Sequence, residues 1–154
     1  MQEKNVTEIL SELVKIKSIS SDKNHIADVK KSAEFVEKLF LELGLQTKIA
    51  TSGNSRPAVL AQTEINPDRK TVLLYAHHDV QPVGDINKWE TDPFNPEIIN
   101  GRLFGRGSGD NKAGVVIHHE VVKELMKDLP VNIKIFIEGE EEIGSPCMAE
   151  FLDE

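Results

Sequence analysis

The sequence predicts an α/β layered domain. Three observations lead there: stretches with helical apolar spacing at about 6–16, 26–43 and 113–127, short apolar runs of strand length among them, and a length of 154 residues, enough for one domain with a substantial core. In the first helix Val6, Ile9, Leu10, Leu13 and Val14 share a face. Residues 18–24 are polar and read as a turn. The second helix buries Val29, Ala33, Val36, Leu39, Phe40 and Leu43, and Gly44 supplies a left-handed stop. Residues 47–51 and 58–62 are short strands, and Asn66-Pro67-Asp68 is a turn. Residues 71–76 (Thr-Val-Leu-Leu-Tyr-Ala) form an unbroken apolar run, the pattern of a central strand covered on both faces. The connection before it is too short for a helical crossover, so it runs antiparallel to the preceding strand. Residues 81–100, rich in Pro, Asp and Asn and holding Trp89, read as a long ordered loop of a length typical of functional loops. Arg102-Leu103-Phe104 is a short strand. The third helix turns Val116, Val121, Val122 and Leu125 inward, residues 131–137 alternate as a strand, and Ser145-Pro146 opens a last helix that runs to Glu154.

Composition narrows the function classes. A content of 39% hydrophobic and 29% charged residues fits a globular chain rather than a disordered one. Asp and Glu number 26 against 18 Lys and Arg, a formal net charge of -8, which gives no general attraction for phosphate backbones and argues against nucleic acid as partner. One cysteine, Cys147, cannot form an internal disulfide; it reads as a small buried side chain. No apolar run reaches the roughly 20 residues that cross a bilayer. Met1 to Asn5 lacks a cationic stretch followed by an apolar one, so neither leader nor membrane is expected and the expected location is cytoplasmic.

Three segments at strand ends and turns carry the chemistry. The first is His77-His78-Asp79, after the apolar run; strand alternation lets His77 and Asp79 point the same way, as a ligating imidazole and the carboxylate that orients it would. The second is the glycine-rich stretch 105–112 (Gly-Arg-Gly-Ser-Gly-Asp-Asn-Lys), which lacks the Lys-Ser/Thr pair of a phosphate loop and can instead aim Asp110 into a pocket. The third is 138–145 (Glu-Gly-Glu-Glu-Glu-Ile-Gly-Ser), acids at the end of a strand, broken by Gly144. Each alone has a plain structural reading: a histidine near a strand end, a turn capping a helix, a solvated acid run. Together they make a nitrogen and oxygen donor set suited to zinc, manganese or cobalt. Two like charges about 4 Å apart repel by roughly 4 kcal/mol at an effective dielectric of about 20, and divalent cations reverse that sign. A pair of such cations activates water and polarises a carbonyl.

Residues 75–82 (Tyr-Ala-His-His-Asp-Val-Gln-Pro), 105–112 and 137–145 resemble the zinc-dependent aminoacylase and dipeptidase family of metallopeptidases, which includes carnosinase-like dipeptidases, acetylornithine deacetylase, succinyl-diaminopimelate desuccinylase and glutamate carboxypeptidases. The stretches 89–94 and 101–103 look like the dipeptidase branch. The resemblance implies a three-layer αβα catalytic domain with a mixed, mostly parallel sheet, and two divalent metal ions, zinc first, with manganese or cobalt as alternatives. It implies His77, Asp110 and Glu142 as metal ligands, Asp110 bridging both ions with a cis peptide after it. Asp79 would orient His77, and Glu141 would act as general base; a register shifted by one would move the general-base and ligand roles of Glu141 and Glu142 to Glu140 and Glu141. It gives His78 no metal role and leaves His25, His118 and His119 structural.

The implied reaction is hydrolysis of the amide bond of a small peptide or N-acyl amino acid. Family members supply a further aspartate and histidine ligand downstream and carry a lid or dimerisation domain that pairs subunits. Residues 1–154 are therefore expected to be the N-terminal part of the catalytic domain, with the lid and C-terminal segment absent, inactive alone, and derived from a homodimeric parent. Such a part should expose apolar surface and open strand edges and be poorly soluble. The alternative is a shortened, non-catalytic binding or interaction module.

Overall fold

The computed structural model describes residues 5–152; the reading of Met1 to Lys4 and the continuation of the last helix to Glu154 lie outside the described residues. Helix α1 (Val6–Val14) starts on a capping box, in which the Asn5 side chain accepts from the Glu8 amide and the Glu8 carboxylate accepts from the Asn5 amide. Two of the donors a helix start leaves open are thereby satisfied. Ile9, Leu13 and Val14 are buried, whereas Val6 is exposed. Helix α2 (Ile26–Glu42) buries Val29, Ala33, Val36, Leu39 and Phe40 and stops before Gly44 at φ +85°. No helix among the described residues is long and apolar enough to cross a membrane.

Strands β1 (Gln46–Ala50), β2 (Ala58–Gln62), β3 (Thr71–His77) and β6 (Asn132–Glu138) form one sheet in the order β1-β2-β6-β3, and β4 (Glu97–Ile99) pairs with β5 (Arg102–Phe104) in a separate hairpin. β1 and β2 are antiparallel, as are β2 and β6; β3 and β6 are parallel, with helix α3 (Lys112–Leu125) between them in sequence. The sheet is mixed, but here antiparallel pairings outnumber the parallel one. The short β1–β2 connection reverses the chain, and the parallel β3–β6 pair is joined through α3. β2 and β3 do run in opposite directions, yet β6 lies between them.

Helices α1, α2 and α3 cover one face, where Leu13, Val36, Phe40, Val115, Val116 and Val122 pack with Val59, Ala61, Ala76, Ile133, Ile135 and Ile137. On the other face Phe151 of α4 (Met148–Leu152) meets Phe136, Ala50 and Ala58. The core is thus two-sided, and α4 is what covers the second side among the described residues.

Several sequence expectations are corrected. Residues 71–76, read as a central strand, lie in the edge strand β3 among the described residues, with Leu73 57% exposed and Val72 and Tyr75 open beside it. An apolar run records hydrophobicity, not the number of neighbours. In α3, Val121 and Leu125 face outward; the buried stripe is Lys112, Val115, Val116, His119 and Val122. His119 takes an inward place because its ring meets Phe40 edge-on at 6.1 Å. The loop at 81–100 contains β4, and the last helix begins at Met148 because Ser145, at φ +51°, is not helical.

Lys112 is fully buried at the first position of α3. Its Nζ donates to the carbonyls of Leu13 (2.9 Å) and Ile16 (2.6 Å). These lie at and just beyond the end of α1, where the helix dipole is negative. Burial pushes the Lys112 pKa down to about 7. The bonds tie the start of α3 to the end of α1. Lys112→Met keeps the aliphatic stem but removes the ammonium donor, leaving the Leu13 and Ile16 carbonyls with only their backbone donors, the amides of Ile16 and Ser18; it is expected to lower stability by about 1–3 kcal/mol. A urea unfolding midpoint equal to that of the parent chain would contradict this role.

Candidate metal centre

Because β3 and β6 are parallel, both end at one rim of the sheet, with His77 opposite Glu138. Ligands gather beyond the carboxyl ends of strands in such sheets, and three segments converge here. His77 closes β3, the 3₁₀ turn Glu141–Ile143 follows β6, and the glycine-rich turn delivers Asp110 just ahead of α3. Gly107 in that turn has φ +85°, and a Cβ on it would stand 2.7 Å from Val80 Cγ1. Only glycine lets the turn pass so close to the strand end. The Asp110–Asn111 peptide is cis.

The His77 ring is buried, and its Nε2 lies 3.0 Å from Asp110 Oδ1 and 3.6 Å from Glu141 Oε2. Ligand atoms of His77, Glu141 and Glu142 all lie within 4.8 Å of one another. On the far side of the ring, Nδ1 lies 3.3 Å from Asp79 Oδ1. The second Asp79 oxygen, Oδ2, accepts from the Ser20 hydroxyl (2.5 Å) and the Glu142 amide (3.1 Å). Gln81 Nε2 donates to Glu142 Oε2 (2.8 Å). All five residues singled out from the sequence, His77, Asp79, Asp110, Glu141 and Glu142, therefore share one constellation. Ser20 and Gln81 belong to it too. Nothing in the sequence marked Ser20, which lies 59 positions from Asp79; Gln81 adjoined the first motif, and only its neighbours were given roles.

The electrostatics suit a cation. Burial alone would keep the His77 imidazole neutral, but contact with Asp79, with the charge of Glu141 added, raises its pKa to about 9. Asp79 is buried, which opposes its charge, yet His77 and Ser20 hold it below the usual carboxylate range. The donor set fits a divalent ion: an imidazole nitrogen and carboxylate oxygens, with no thiolate, suit zinc, manganese or cobalt. Ligand atoms around a tetrahedral zinc with bonds of about 2.0–2.1 Å stand roughly 3.3 Å apart. The contacts of His77 with Asp110 and Glu141 bracket that spacing. His77, Asp110, Glu141 and Glu142 are the side chains able to hold metal, and Asp79 is placed to orient the ring. The tightest trio contains Glu141 rather than Asp110; Asp110, 81% exposed, reaches the site from solvent.

Neighbouring candidates point elsewhere. Glu140 is buried, its Oε2 accepting from the Arg56 amide (3.0 Å) and its Oε1 from the Cys147 amide (2.8 Å). Both oxygens are engaged by backbone, so the shifted register lacks a free carboxylate at Glu140. His78 is fully buried with Nε2 donating to the Pro57 carbonyl (2.9 Å), and burial pushes its pKa down to about 4. His118 Nε2 bonds the Tyr75 carbonyl, and His25 pairs with Asp28.

Comparison with known proteins points to one family. Residues 73–154 match the profile of the peptidase family M20/M25/M40. The Cys-Gly metallodipeptidase dug1 of Schizosaccharomyces pombe is 38% identical over 156 residues, which take in 93% of this chain and 33% of that protein. Human carnosine dipeptidase 1 has a similar structure, with a TM-score of 0.85 at 31% identity over 96% of this chain and 34% of that one. The M20 family metallo-carboxypeptidase Sso-CP2 from Sulfolobus solfataricus gives a TM-score of 0.86 at 31% identity, over 97% and 34%. The chain spans about a third of the length of these relatives.

Gly139 sits beneath the site, where a Cβ would stand 2.3 Å from the Pro57 carbonyl oxygen and 2.8 Å from His78 Nε2. Gly139→Ala is expected to destabilise the chain by about 1–3 kcal/mol through overpacking against backbone. Thermal unfolding measured by circular dichroism checks this; a melting temperature at or above that of the parent would show that the site floor can yield.

Proposed function

The chain belongs to the peptidase family M20/M25/M40, and we propose that it forms the N-terminal, metal-binding part of a two-metal hydrolase that cleaves the amide bond of dipeptides. One observation carries the reading: the His77 imidazole and the carboxylates of Asp110, Glu141 and Glu142, drawn from three separate segments, converge on one spot at the sheet rim. The dipeptide assignment follows the relatives, a Cys-Gly metallodipeptidase and a carnosine dipeptidase among them.

In this reading His77, Asp110 and Glu142 hold the metals, zinc being the first choice for the donor set, and Asp110 serves both. When bound, the ions make water acidic near neutral pH and polarise the scissile carbonyl. The remaining work falls to the chain. Asp79 meets Nδ1 of His77 with its main-chain carbonyl (3.2 Å) and its carboxylate (3.3 Å), so that Nε2 faces the site. Glu141, 43% exposed and adjoining His77, takes the proton of the attacking water and returns it to the leaving nitrogen, the carboxylate shuttle expected of a general base. Gln81 and the Asp79 carboxylate fix the side chain and the amide of Glu142 respectively.

Two measurements test this. Calorimetric titration of the chain with zinc should give binding that His77→Ala weakens at least tenfold; equal isotherms for the two would remove the metal reading. The chemical half is tested by fusing the chain in frame to the C-terminal two-thirds of the S. pombe relative and assaying Cys-Gly hydrolysis. In that fusion Glu141→Gln is expected to lower kcat by about 10²–10⁴-fold while metal content stays unchanged. Full turnover by the Gln variant would show that another group moves the proton.

A further inference from the structure

We propose that Ser20 is a positioning residue of the metal centre, its hydroxyl holding the Asp79 carboxylate so that the carboxylate in turn orients His77. The inference rests on the reading of His77 as a metal ligand. Ser20 is fully buried, and its Oγ donates to Asp79 Oδ2 at 2.5 Å. The Glu142 amide donates to the same oxygen at 3.1 Å. A carboxylate with free rotation could present either oxygen to the imidazole. Two donors on Oδ2 choose for it and leave Oδ1 facing His77 Nδ1. One carboxylate thus ties the end of β3 to the turn after β6, and Ser20 is the side-chain donor that sets its angle.

The backbone around Ser20 is built for that placement. Residues 18–20, at the start of the expected turn, are buried and lie beside 78–80, with Ile19 bridged in parallel to Val80 and the turn itself beginning at Ser20. The Ser18 carbonyl accepts from the Val80 amide (2.9 Å), and the Ser18 hydroxyl donates to the His78 carbonyl (2.7 Å). The Ser20 carbonyl accepts from Arg56 Nε (3.0 Å) and Nη2 (2.9 Å). Arg56 is itself fixed through its amide, which donates to Glu140 Oε2. Both hydroxyls, of Ser18 on the His78 carbonyl and of Ser20 on Asp79 Oδ2, thus reach the segment that follows His77.

The test is titration of the chain with Co²⁺, followed by its visible absorption bands, for the parent and for Ser20→Ala, Ser20→Thr, Ser20→Cys, Asp79→Asn and Ser20→Ala with Asp79→Asn. Loss of a partner that orients a metal ligand weakens affinity roughly 10–100-fold, and Ser20→Ala should fall near the lower end. Ser20→Thr should restore affinity. In the Asp79→Asn background Ser20→Ala should cost nothing further, a coupling that a purely structural role would not produce. Parental affinity in Ser20→Ala, or losses that add in the double variant, would overturn the proposal. Where the alanine variant does not fold, Ser20→Cys, nearly isosteric but a weak donor, takes its place: weakened binding supports the proposal and parental binding overturns it. His77→Ala separates the two levels. If it binds Co²⁺ as the parent does, the metal reading fails and this inference with it; if it loses binding while Ser20→Ala keeps it, the positioning role alone fails.

Discussion

Concentrated negative charge is the constraint around which this chain is arranged. Asp79, Asp110, Glu141 and Glu142 surround a single imidazole at the point where two parallel strands end. Left uncompensated, such a cluster would push the segments apart. The protein answers in two ways. Asp79, inside, takes a hydroxyl and an amide on Oδ2 and keeps the His77 ring 3.3 Å from Oδ1. The other carboxylates stand at the solvent side around the His77 Nε2, so the charge that would push the segments apart is also what would capture a metal.

The surrounding architecture keeps that gap in shape. Lys112 ties the start of α3, two residues beyond Asp110, to the last carbonyls of α1. Glu140 fastens the loop before β2 and the chain after the acidic turn by accepting from both backbones. Gly139 lets the Pro57 carbonyl approach until His78 can bond it. Three acids adjacent in sequence consequently have two fates: Glu140 is a buried brace, while Glu141 and Glu142 face the site. Which oxygens find backbone amides decides the difference, more than the residue type.

Much of this was legible from residues alone. The apolar spacing of Val29 to Phe40 located α2, the alternation in 132–137 located β6, and the three motif segments do meet. Other parts depended on partners far away in sequence. The run Thr-Val-Leu-Leu-Tyr-Ala looked central because hydrophobicity cannot report how many strands flank it. Val121 and Leu125 looked inward because the helix pattern allows more than one apolar stripe, and packing of His119 on Phe40 selects another. Ser18 and Ser20 looked like surface turn residues; their burial follows from pairing with 78–80, which no local pattern announces.

The strand order also shapes the history of each molecule on the ribosome. β6 follows the other three strands of the described sheet in sequence, yet it lies between two of them. Until residues 132–138 emerge, β2 and β3 have no mate on the sides that β6 will fill, and Val59, Ala61 and Ala76 lack the Ile133, Ile135 and Ile137 of their cluster. Helices α1 and α2 can form as they appear, but the sheet must wait. Between the synthesis of β2 and that of β6 a nascent chain therefore carries bare apolar strands, the period in which chaperones would have to shield it from its neighbours.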